Sequence, residues 1–180
     1  MEDVVYGRHF DGNEWFVIGI FLLFTAAIRL FPRPLSPLQT TFNFLIGIAL
    51  GLIFDHTLHV PPLNYYDIGD RSKYEWFDIV TYAMYAPFGY WFIFWKERLR
   101  VRGTLTIPYI LLWSGLAVGF EWLGVLVGEF HYRNGYRFLY SFPIYLFLIS
   151  LHLGLYRLVF ARDRRRVPAP FTHKRPVPRP

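Results

Sequence analysis

A chain of 180 residues that is 54% hydrophobic, 21% aromatic and only 18% charged is too apolar to wet the whole surface of a soluble domain. Having no cysteine, it is excluded from structural disulfides and thiolate metal centres, so any metal would need His, Asp or Glu. The formal charge of +6 and the mean hydropathy of +0.26 matter through where the basic and apolar residues sit.

The opening MEDVVYGRHFDGNEW lacks the basic start and cleavage pattern of a signal peptide, so the first apolar stretch, 15–31, is expected to stay as a membrane span. Three prolines in FPRPLSP at 31–37 end it. The second stretch, 41–60, places Asn43, Gly47, Gly51, Asp55 and His59 four residues apart. Its Gly47/Gly51 pair permits close helix approach, so this stripe is expected to face protein rather than lipid. A turn-rich loop, PPLNYYDIGDRSK at 61–73, follows.

The third stretch, 76–95, carries Asp78, Tyr82, Tyr85 and Gly89 on one face, with a kink expected at Pro87. A basic link at 96–103 leads to the fourth, 105–128, where Ser114, Ala117, Glu121, Gly124 and Gly128 make a small-residue face. EFHYRNGYR at 129–137 holds an Asn-Gly turn signal, and the fifth stretch, 138–160, aligns Ser141, Tyr145, Leu148, His152 and Tyr156. Five prolines and seven basic residues at 161–180 predict a disordered cytoplasmic tail in contact with anionic lipids. No nucleic-acid partner is expected, because no stacking platform accompanies that charge.

Each stretch is near the 20 residues a helix needs to cross a bilayer. The fold expected is therefore all-α, a five-helix transmembrane bundle in the cell membrane. With the N-terminus outside and the C-terminus cytoplasmic, 14 of the 19 Lys and Arg fall on the cytoplasmic side, as the positive-inside rule requires.

Glu121 organises the functional reading. An acid in the middle of a span costs roughly 3 kcal/mol on insertion scales, so it faces a partner, a cavity or a site. Counting along the helices puts Asp55 at the same depth, each about 7 Å to the outer side of the centre. Asp55, His56, His59, Asp78 and Glu121 form an outer-half constellation adjoined by Glu75 and His131, while His152 lies about 10 Å below.

Three readings compete. The acids share a proton with each other or pair with His59 as interhelical glue. They line a pocket that handles protons or a polar head group. Or Asp55, His56, His59 and Glu121 hold a divalent metal, Zn or Fe, although six histidines are too few for a membrane di-iron oxygenase. Ser114 and His152 lie at one depth as an intramembrane serine–histidine dyad would, but rhomboid proteases want a small residue where Trp113 stands and a six-span core.

The segment FEWLGVLVGEFHYRNGYRFLYSFPIYLFLISLHL resembles a family of small five-span membrane proteins from endospore-forming Firmicutes that has no established activity. The matching positions are Glu121, Tyr132, Asn134, Gly135, Tyr136, Ser141 and His152, with looser likeness in GLIFDHTL and APFGYWFI; the basic tail departs from the pattern. The resemblance implies the five-span fold and favours those residues. Two functions are expected: a binding or accessory protein, with a second copy or a membrane partner, in which the acids fix packing, or an enzyme or transport component in which Asp55, His59 and Glu121 bind a proton, metal or lipid-like substrate.

Overall fold

The computed structural model describes residues 4–7, 10–32 and 34–160; the tail expected at 161–180 lies outside them. The described residues are mostly helical: α1 (Gly12–Ala27), α2 (Pro37–Leu58), α3 (Asp78–Arg98), α4 (Thr106–Val127) and α5 (Ser141–Phe160). The all-α expectation needs one correction. Strands β1 (Tyr66–Ile68) and β2 (Phe130–Tyr132), from the two loops at 61–73 and 129–137, pair antiparallel.

Local chemistry sets the boundaries. Helix α1 starts earlier than the apolar stretch because Asp11 accepts from the Asn13 N–H while Glu14 reaches back to the Asp11 N–H, a capping box. Ser36 and Gln39 form a second box ahead of α2, with Pro37 at its first position. Gly128, at φ 85°, closes α4 in the left-handed region. Asn134 and Gly135, at φ 50° and 76°, make the tight turn that their dipeptide announces.

Helices α2, α4 and α5 are long and apolar enough to cross a membrane, the last two together with the short 3-10 turns that precede them. Leu45, Leu112, Leu126 and Leu158 stand 60–77% exposed on their outer faces. Helix α1 is apolar but has 16 residues. Helix α3 has 21 residues and is less apolar, and its position accounts for that. Tyr90, Trp91, Phe92, Ile93 and Phe94 are consecutive and all buried, so α3 is wrapped by its neighbours through this stretch.

The tightest approach is between α2 and α3. A Cβ at Gly47 would stand 2.5 Å from the Tyr85 carbonyl oxygen, and one at Gly89 would stand 2.4 Å from that of Asn43. The Gly47/Gly51 stripe thus faces protein, with Gly51 against the Tyr85 ring. The sheet gathers one end of the bundle into a cap: Val5 bridges Arg71, Asn13 donates to Asp70 at 3.0 Å, and Thr81 donates to Glu129 at 3.1 Å. At the opposite end lie Arg29, Lys96, Arg98, Arg100, Arg102 and Arg157.

Gly47→Ala is expected to destabilise the protein by about 2 kcal/mol, since a backbone oxygen cannot yield as a side chain can. Gly115→Ala, with open space around its Cβ position, should be neutral within about 0.5 kcal/mol. Thermal unfolding of the two purified variants checks the contrast.

Candidate functional site

Residues paired across an antiparallel ladder point to the same face, and the face alternates along each strand. Tyr66 pairs with Tyr132, Asp67 with His131 and Ile68 with Phe130. The first and third pairs turn toward the helices. The middle pair turns toward the N-terminal segment, where the Tyr6 ring stacks on His131 with centroids 3.8 Å apart and its hydroxyl donates to Asp67 at 2.6 Å. Asp67 is fully buried and also takes a 2.7 Å ion pair from Arg133. Burial, then the bond to Asp67, pushes the Tyr6 phenol up to about 12, so it stays a donor.

The inward tyrosines reach the two helix acids. Tyr66 donates to Oδ1 of Asp55 at 2.6 Å, and Tyr85 of α3 donates to Oδ2 at 3.1 Å. Tyr132 and Ser141 both donate to Oε1 of Glu121 at 2.5 Å, Tyr145 bonds the same carboxyl, and Tyr136 stands 2.9 Å behind Ser141. Burial and the adjacent Asp55 hold the Tyr66 phenol well above its ordinary value, which keeps its proton available to the acid. Each such bond to a carboxylate contributes about 1.5–3 kcal/mol.

Asp55 and Glu121 line one cavity of about 400 Å³ bounded by all five helices and the sheet. Its walls are mainly apolar, including Phe16, Leu50, Phe88, Leu116, Phe120 and Ile144, and Tyr66 and Phe130 of the sheet form part of its lining. His152 also lines it; its Nε2 donates to Oδ1 of Asn43 at 2.8 Å.

The remaining predicted residues are placed differently. Asp55 and Glu121 line the same cavity, each with its own hydroxyl partners. His59 does not pair with either acid: its Nδ1 donates to the Tyr66 carbonyl at 2.8 Å and lies 3.6 Å from Asp67, so it positions β1. His56 points outward, bonds the Leu52 carbonyl and stacks on Tyr74. Helical geometry explains the split, because His56 is one residue, about 100°, round the helix from Asp55. Asp78 accepts from the Glu75 N–H at 2.8 Å at the start of α3, and Glu75 lies 3.8 Å from Arg71.

Among the described residues no three His, Asp or Glu side chains converge on a point that would hold a metal ion, so the Asp55, His56, His59 and Glu121 ligand set is not assembled. Nor is the dyad: Ser114 donates to the Ile110 carbonyl while His152 bonds Asn43. The residues that sequence reasoning missed are Tyr66, Asp67 and Glu129. The alternation in YDI and FHY is the signal that could have found the first two, since a period of two places Tyr66 and Asp67 on opposite faces.

Glu129 is fully buried where α4 meets β2, takes one bond from Thr81 at Oε1, and has no hydrogen-bond partner at Oε2 among the described residues. Burial, followed by the nearby Asp78, Glu14 and Asp55 charges, raises its carboxyl to about 8. Comparison with known proteins finds no matching family model, curated protein or solved structure.

Between the ordinary carboxyl value and about 8, the folded chain keeps a proton on Glu129 that the unfolded chain has released. Stability therefore falls as pH rises through that window. Glu129→Gln, neutral at every pH, is expected to match wild type near pH 5 and to exceed its apparent Tm by roughly 5 °C near pH 8.5. Melting curves of both proteins across that range check it.

Proposed function

We propose that the chain is a five-span cell-membrane protein, N-terminus outside and C-terminus cytoplasmic, that binds a lipid-like molecule in the cavity beneath the cap. The observation that carries this is the cavity itself: about 400 Å³ of mainly apolar wall with its two acids, Asp55 and Glu121, held by hydroxyls from the sheet and the helices. A site of this volume and lining is what an apolar molecule with one polar end fits. Packing alone does not call for such a space, because closely packed helices leave few voids larger than a water molecule.

Five spans are supported by the outward leucines, by the wrapped position of α3, and by the resemblance of 121–152 to a five-span family. The gathering of Arg29, Lys96, Arg98, Arg100, Arg102 and Arg157 at one end supports the orientation. The cap then lies outside, over the mouth of the bundle.

A long-chain alcohol bearing a diazirine, irradiated with the protein in lipid nanodiscs, is expected to label Leu50, Phe88 or Ile144 in the cavity. Ala117→Trp, which fills the space beside Leu116 and Phe120, should suppress that labelling by about tenfold. Adducts confined to outward residues such as Leu112, Leu126 and Leu158 would overturn the reading. A reporter fused after Pro180 is expected to be active only in the cytoplasm, and activity outside would reverse the orientation.

A further inference from the structure

From the direction of the hydroxyl protons around the two acids, we infer that the cavity selects a hydrophobic ammonium, an amine with an apolar body, over neutral or anionic molecules of the same shape. This rests on the cavity-binding reading above and adds the charge of the occupant.

Tyr66 and Tyr85 donate to Asp55; Tyr132 and Ser141 donate to Glu121. Ser141 has spent its single proton on Glu121, so the 2.9 Å contact with Tyr136 is made by the Tyr136 proton. Tyr145 is bonded to Glu121 as well. The hydroxyl protons of this group are thus spent on the acids or, for Tyr136, on Ser141. When the acids are ionised, what remains for an occupant is acceptor capacity: carboxylate lone pairs, of which each group has about four. A ligand that brings N–H donors and positive charge meets those lone pairs, whereas a carboxylate or phosphate would find acceptors facing acceptors.

The charge inventory agrees. Among the described residues lining the cavity there are two acids, one histidine and no lysine or arginine. The cap's Arg133 is bonded to Asp67 on the other face of the sheet, and His152 at the far side already donates to Asn43. An ionised acid in an apolar site is costly without a counter-charge, and an ammonium supplies one. The rings of Tyr66, Tyr85, Phe88, Phe120 and Phe130 line the same space, where they accept an apolar body.

The test uses three cages of one shape, 1-adamantanamine, 1-adamantanol and 1-adamantanecarboxylate, as competitors of the diazirine alcohol on the full chain in an uncharged detergent at neutral pH. Free concentrations are measured by dialysis. The amine is expected to displace the label at concentrations about tenfold lower than either of the others. The gap should shrink to about threefold or less in Asp55→Asn and in Glu121→Gln, which keep the shape of each acid. Equal potency of the three cages on wild type, or preference for the carboxylate, overturns the charge assignment and leaves cavity binding standing. So does labelling that the amine does not displace. Failure of the alcohol to label the cavity at all removes cavity binding itself. The wild-type comparison decides the matter even if one of the variants does not fold.

Discussion

The structure depends on one cross-strand pair. Tyr66 and Tyr132 face each other across β1 and β2, and each places its hydroxyl on an acid inside a different helix, Asp55 on α2 and Glu121 on α4. Because paired side chains in an antiparallel ladder stand on one face a fixed distance apart, the sheet register sets the spacing of the two acids. A slip of one residue in β1 would present Asp67 to the helices in place of Tyr66, and a slip in β2 would present His131 in place of Tyr132. Two strands of three residues have little stability alone, so the cap and the bundle hold each other in place.

The two faces of that sheet solve different electrostatic problems. Toward the N-terminal segment, Asp67 is balanced by a full charge, the guanidinium of Arg133, with Tyr6 and His59 beside it. Toward the helices the acids are met only by neutral hydroxyls. Hydroxyls satisfy a buried carboxylate's lone pairs without adding a second charge that must itself be desolvated. They also leave the acids uncompensated in charge, which is the property that ties the cavity to a cationic occupant.

Several features were legible because they follow from counting along a helix. Asp55 and Glu121 were expected at one depth and do line one cavity. The glycine stripe of α2 does meet another helix, α3. The positions carried by the family resemblance converge in part, with Tyr132, Tyr136 and Ser141 assembled around Glu121. Other features were not legible. His56, His59 and Asp55 sit within five residues, yet the helix turns them to the outer surface, the cap and the cavity respectively. Glu129 sits next to the turn at Gly128 and reads as a loop acid, but the fold of β2 against Thr81 buries it completely.

The sequence by itself determined how apolar the helices are, where proline, Asn-Gly and basic links interrupt them, and how far along each one its acid lies. Those properties are local, governed by the rise per residue and by side-chain solubility. Only the tertiary structure decided what each acid touches. Partner choice depended on two tripeptide strands 64 residues apart finding one register, and no short-range pattern encodes a pairing between segments so distant in the chain.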